Sequence, residues 1–460
     1  MSQRLVVIGG DAAGMTAASQ ARRLKSADEL EVLVFERGNY TSYSACGIPY
    51  YVGGVVEEFE SLIVRTPDEF RSKQRFDVRM RHEVTEIDLS ACRVTARDRD
   101  GDRDVFEGFD HLLIATGGTP ARPPVEGIDS EGIFGVQTLD DAAKVSRYID
   151  EHRPRCAVVV GAGYIGIEMA EAFLRRGLLV AVVEMAARPM STFDPEFGDL
   201  VAEAISAEGI TLYTGERVEG FETDDGRVVA AVTEKRTIPA DIVVLGLGAT
   251  PNVQLAHAAG VELGESGAIK VDRRMVTGHE GVWAAGDCAE KFHLVARRGV
   301  AIALGTHANK EGRTVGINIG GGYETFPGVL GTAVSKVCRL EVARTGLNER
   351  EATEAGFDYL TSTVDSTTRA GYFPGAAKIK TKMIVEKVSG KLLGAQIIGQ
   401  EGAAKRIDVI ATALWNEMTV DDMLNMDLSY APPFAPLWDP VLISARKAWQ
   451  AVEEDLSVDR

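Results

Sequence analysis

The stretch CAVVVGAGYIGIEMAEAFLRRG, Cys156 to Gly177, runs from an apolar, β-branched segment through a glycine turn into a helical pattern. An apolar run without alternation suits a parallel strand covered on both faces, so the order is strand, tight turn, helix. Gly161, Gly163 and Gly166 keep the G-x-G-x-x-G spacing, which supplies the turn, the close approach of a phosphate and the helix–sheet contact. The next run, LLVAVVE, ends in Glu184, 18 residues past Gly166, where a carboxylate can accept from ribose hydroxyls.

The same order opens the chain. RLVVIGG, from Arg4, reads as a buried strand, and DAAGMTAASQARRLK, from Asp11, reads as a helix. Gly9-x-Asp11-x-x-Gly14 is the same motif with aspartate in place of the middle glycine, and LEVLVFE ends in Glu36, 22 residues beyond Gly14. In each copy a pyrophosphate would rest on the helix N-terminus, whose free N–H groups and macrodipole favour anions. Two dinucleotide folds imply two dinucleotides, which in an oxidoreductase means a tightly held flavin and an exchanging nicotinamide. FDHLLIATGGTP, ending a strand at Thr116-Gly117, and EGVWAAGDCAE, placing Asp287 after another, return to the first site. The expected organisation is therefore a discontinuous first domain, 1–118 with 250–325, an inserted second domain, 119–249, and a C-terminal α+β domain, 326–460.

Composition narrows the function. The 460 residues are 45% hydrophobic, enough for two or three cores. A net charge of -18 opposes binding to nucleic acid and to anionic lipid surfaces over most of the molecule. No run reaches the ~18 apolar residues of a membrane span, and the N-terminus lacks the basic lead and cleavage site of a signal peptide. Five cysteines without a framework spacing suit a reducing compartment, so the protein reads as cytoplasmic. The seven histidines show no ligand spacing, and no metal is expected. Within YTSYSACGIPYYVGG, Tyr40 to Gly54, Cys46 has no neighbouring partner, which excludes a local dithiol.

These features together resemble the pyridine nucleotide-disulfide oxidoreductases over nearly the whole chain. Ser42-x-x-x-Cys46-Gly47-Ile48-Pro49-Tyr50 is similar to their single-cysteine branch, which holds coenzyme A disulfide reductases, persulfide or polysulfide reductases, and NADH oxidases and peroxidases. The resemblance implies an α/β, glutathione reductase-like arrangement of two Rossmann-like domains plus a dimerisation domain, working as a homodimer. It assigns FAD to Gly9, Ala12, Gly14, Glu36, Ser42, Thr116, Gly117 and Asp287. NADH or NADPH falls to Gly161, Gly163, Tyr164, Gly166, Glu168 and Glu184, with Tyr164 covering the flavin face and Glu168 beside the nicotinamide. Tyr372 and Tyr430, in AGYFPGAAKIK and SYAPPFAPLWDPVL, would serve the partner subunit's Cys46, and Gln20 and Arg23 match positions that contact coenzyme A. Two departures bear on substrate. Ala45 stands where coenzyme A disulfide reductases usually carry asparagine, and Ala12 where oxidases and peroxidases carry histidine. The chain is also expected to lack the rhodanese-like domain of many persulfide-reducing members.

A single Cys46 can store oxidising equivalents only as a mixed disulfide or a sulfenic acid. Attack requires the thiolate, so the site is expected to lower the thiol pKa, while tyrosine hydroxyls donate to the departing sulfur. The resulting expectation is an FAD-dependent NAD(P)H reductase of low-molecular-weight disulfides, persulfides or polysulfides. The alternatives are an NADH oxidase, which Ala12 argues against, and a nicotinamide-sensing flavoprotein without turnover. Each residue also has a plainer reading: packing for Tyr164, interface aromatics for Tyr372 and Tyr430, a solvated helix face for Gln20, Arg22 and Arg23, and core filling for Cys288.

Overall fold

The computed structural model describes residues 2–458. Gln3–Ile8 and Leu30–Phe35 pair in parallel, Val7 opposite Val34, and the helix Ala12–Leu24 crosses between them. Asp11 precedes that helix in extended conformation rather than joining it. The sheet is completed by Asp77–Arg79 on one side and by His111–Ile114 and then Val282–Ala284 on the other, all parallel. Leu5, Val6, Val7, Val34 and Leu113 are fully or almost fully buried, as strands covered on both faces require.

A second parallel sheet repeats the plan, in the order Thr211–Thr214, Leu179–Glu184, Cys156–Val160, Ile242–Leu245, Ile133–Gly135. Helix Tyr164–Arg175 is its crossover. The chain passes between the two sheets at Gly118–Pro120 and Ala249–Pro251, which pair antiparallel with each other. The last unit is a five-stranded antiparallel sheet ordered Ala333–Val337, Leu340–Gly346, Leu392–Gly399, Lys378–Glu386, Tyr359–Thr367, packed with helices Ile407–Trp415 and Pro440–Val458.

Helix Gly305–Ile319 lies against Ala12–Leu24 with its glycines inward. A Cβ on Gly312 would stand 2.3 Å from the Ala13 carbonyl oxygen, and one on Gly316 2.5 Å from that of Ala17. Only glycine permits this approach. No helix among the described residues is long and apolar enough to cross a membrane.

Candidate active site

The two glycine turns are built alike. In the first, the Glu36 carboxylate accepts from the N–H of Gly10 and of Gly38, both at 2.7 Å. In the second, Glu184 accepts from Ala162 and Ala186, again both at 2.7 Å. Each carboxylate is thus fixed at the end of its strand with lone pairs remaining for ribose hydroxyls. Gly14 and Gly166 are obligatory: an added Cβ would lie 2.0 Å from the Gly9 oxygen and 1.9 Å from the Gly161 oxygen. At Gly163 and Gly117 it would meet nothing within 4 Å, leaving the backbone open to a ligand.

Helices Ala12–Leu24 and Tyr164–Arg175 begin with neither a side-chain cap nor an acid in the first turn. By contrast, Thr66, Thr138, Asn348 and Thr419 each close a capping box. Uncapped N–H groups at these two helices fit pyrophosphates, and the pair of cradles fits FAD in the first fold and a nicotinamide dinucleotide in the second. Asp11, between Gly10 and the first helix, is pushed up to about 6 by burial, with Glu36 and Asp287 adding to the shift. Asp287 is itself raised by burial and held down by Lys291. Ser42 adopts a left-handed conformation, φ 50°, and its N–H donates to the Gly10 oxygen at 3.1 Å, which binds the cysteine segment to the first turn. Thr116 is pinned by Asn252, whose carbonyl accepts from its hydroxyl at 2.6 Å.

Cys46 lies in a tight turn, Ala45–Gly47, that leads into the short helix Ile48–Val52. It is unpaired, and the residue reaches the surface while its thiol is partly desolvated. Ile48, Val52 and Leu62 share one apolar core with Ile167 and Phe173 of the second fold and with Val337, Val342 and Ile398 of the C-terminal unit. Gly47 packs closely here: a Cβ would stand 2.3 Å from Leu62 Cδ2 and force that side chain to shift. All three units therefore meet behind the cysteine.

The electrostatics contradict one expectation. The Cys46 thiol is raised, not lowered: burial contributes most, and the carboxylates of Glu168, Asp11 and Asp287 add to it, opposed only by a backbone hydrogen bond. No cation of this chain counters them among the leading influences. Glu168 is pushed up to about 7 by burial, and the Ser335 hydroxyl donates to it at 3.3 Å. Tyr50, one helical turn after Cys46, has its phenol raised by burial and by Glu168. Sequence reading missed Tyr50 and Ser335. The four-residue spacing from Cys46 marks Tyr50 as a neighbour, whereas nothing local marks Ser335.

Tyr164 is half-buried, its ring 6.4 Å from that of Phe193 and its hydroxyl facing Thr192 near Arg344 and Glu351. Tyr372 and Tyr430 are neighbours on the exposed surface of the C-terminal unit, which also exposes Phe434, Leu437 and Trp438. The exposed Arg23 guanidinium donates to the side-chain oxygen of Gln20 at 3.3 Å, and Gln20 is half-buried, its Cβ beside Gly316 of the facing helix. Cys288 is fully buried, with its Sγ directed at backbone carbonyls.

Residues 3–312 match the family model described as pyridine nucleotide-disulphide oxidoreductase, and residues 332–440 match that family's dimerisation domain. The chain is 40% identical over 447 residues to the NAD(P)H sulfur oxidoreductase (CoA-dependent) of Pyrococcus abyssi, covering 97% of this chain and 98% of that one. Among solved structures it is similar to a NAD-dependent persulfide reductase from A. fulgidus, at 42% identity and TM-score 0.94, over 98% of this chain and 84% of that one. It is similar also to reduced Bacillus anthracis CoADR-RHD, at 35% identity and TM-score 0.95, over 99% and 81% of the two chains.

Proposed function

Because the chain belongs to the pyridine nucleotide-disulphide oxidoreductase family, we propose that it is an FAD-containing, NAD(P)H-dependent reductase of small disulfides or sulfane sulfur whose redox sulfur is Cys46. The observation that carries this reading is the free, reachable thiol of Cys46 on a segment hydrogen-bonded to the first dinucleotide turn and packed on the second. Residues 1–118 and 250–325 hold FAD, 119–249 take the nicotinamide dinucleotide, and 326–460 form the dimer contact. Coenzyme A disulfide is among the substrates accepted, with other small disulfides or sulfane sulfur used as well or better because Ala45 offers no amide to a pantetheine.

When bound, FAD supplies the two-electron transfer between nicotinamide and sulfur. The chain's own residues do the rest. Glu36 and Glu184 orient the two ribose groups, and Asp287 orients the flavin side. Cys46 Sγ attacks the substrate disulfide, forming a mixed disulfide as the original S–S bond breaks. The first thiol leaves as thiolate and takes a proton. Two electrons then cleave the mixed disulfide, releasing the second thiol and restoring Cys46. Since the acids around Cys46 oppose its thiolate, activation draws on hydroxyl donors outside this chain, supplied by Tyr372 and Tyr430 of the partner subunit.

Cys46→Ser tests the reading in the stopped-flow spectrophotometer. Flavin reduction by NADH should stay within about twofold of the parent, while disulfide turnover falls on the order of 1000-fold or more. Near-normal turnover by the serine variant would remove Cys46 from the chemistry.

A further inference from the structure

Lys291 and Glu311 are both fully buried, and their side chains face each other at 3.4 Å. Neither belongs to a glycine turn or to the cysteine segment. A fully desolvated ion pair contributes little to stability compared with apolar residues of the same volume, so its presence calls for another explanation.

That explanation lies in what the pair holds. Lys291 Nζ donates to the Gly286 oxygen at 2.8 Å and to the Ala289 oxygen at 2.9 Å. Glu311 Oε2 accepts from the Gly286 N–H at 2.7 Å. Gly286 is thus gripped at both its N–H and its carbonyl, immediately before Asp287. Its φ is +83°, and a Cβ there would lie 3.1 Å from the Ala13 Cβ, so the gripped residue rests on the start of the first dinucleotide helix. Glu311 stands beside Gly312, the residue in closest contact with Ala13 from the other side. Three separate pieces of the flavin cradle, Ala13, the Asp287 turn and helix Gly305–Ile319, therefore converge on one buried pair.

We propose that Lys291 and Glu311 are positioning residues for FAD, fixing the Gly286–Asp287 peptide so that the Asp287 carboxylate is presented to the dinucleotide. The inference rests on the flavoprotein reading above and adds residues that touch no ligand themselves. Their action runs through Asp287, whose geometry they set.

The test uses Lys291→Met, Glu311→Leu and the double variant, measuring FAD affinity on reconstitution, visible circular dichroism of the bound flavin, and thermal unfolding of the flavin-free protein. Each single variant leaves a buried charge unpaired and should unfold at lower temperature, while the double variant, which has none, recovers the parent midpoint. FAD affinity should fall tenfold or more in all three, and the flavin dichroism should change in all three, because the grip on Gly286 stays broken. A double variant that recovers parental affinity and dichroism together with its midpoint would show that the pair is only structural. Unchanged affinity in every variant would overturn the proposal while leaving the flavoprotein reading intact. Failure of the parent protein to take up FAD would overturn both.

Discussion

Cys46 is conspicuous in the sequence because nothing nearby can pair with it, yet its chemistry is set by residues far along the chain. Glu168 lies 122 positions away, and its carboxyl, pushed up to about 7, is the leading charge acting on the thiol. As the pH rises through about 7, Glu168 ionises and its negative charge disfavours the thiolate, holding the Cys46 pKa up. Glu168→Gln should therefore lower that pKa and speed alkylation of Cys46 by iodoacetamide in the flavin-free protein, by about threefold or more at mildly alkaline pH. Equal rates in the two proteins would mean that burial alone raises the thiol. Nicotinamide choice is expected to rest on single residues as well. The Glu184 carboxylate would repel a 2′-phosphate, and Arg188, four residues further on, is bound to Asp199 at 2.7 Å with its stem lying across Gly198. NADH should accordingly exceed NADPH in kcat/KM by about tenfold, and Asp199→Ala should narrow that ratio by freeing the guanidinium. An NADPH preference in the parent would mean that Arg188 outweighs the acid.

At the scale of elements, what is legible in the sequence is what is local. Strand, glycine turn and helix follow one another within about 20 residues, so periodicity and spacing locate both dinucleotide folds, with helix ends off by a residue. Which glycine does what is a matter of packing and emerges only from the structure. Gly166→Ala would drive a methyl against the Gly161 carbonyl and should destabilise the protein by about 1–3 kcal/mol, seen as an earlier thermal transition. Gly163→Ala meets open space and should leave that transition nearly unchanged, while weakening NADH binding by about tenfold, because the methyl stands where the phosphate approaches. Calorimetric titration with NAD and thermal scans of both variants separate the two roles. Equal thermal losses would mean that the glycines share one structural function. The Lys291–Glu311 pair lies beyond such reading, since 20 positions and a change of element separate residues that meet only after the first domain has closed.

For the whole molecule, the joint between the second fold and the C-terminal unit is a polar network, buried at Lys382 and Asp194 and open at its rim, that no sequence pattern reveals. Lys382 pairs with Asp194, Glu196 and Glu349, Gln396 donates to Asp194 at 2.6 Å, and Arg344 donates to the Thr192 carbonyl and pairs with Glu351. These contacts hold the C-terminal unit against the second fold. Tyr372 and Tyr430 are left on its exposed surface, as are the large apolar side chains of Phe434, Leu437 and Trp438, which a second copy of the chain would cover. If the tyrosines serve the opposite subunit, a subunit lacking Cys46 still supplies them to its partner. Cys46→Ser and the Tyr372→Phe, Tyr430→Phe double variant should each be nearly inactive alone as a dimer. After unfolding and refolding as an equal mixture, half the dimers are mixed, and each mixed dimer has one complete site of two, so about a quarter of parental disulfide reductase activity should return. Tyrosines acting on the cysteine of their own chain would give no recovery, because every site in a mixed dimer would then lack either the sulfur or its donors.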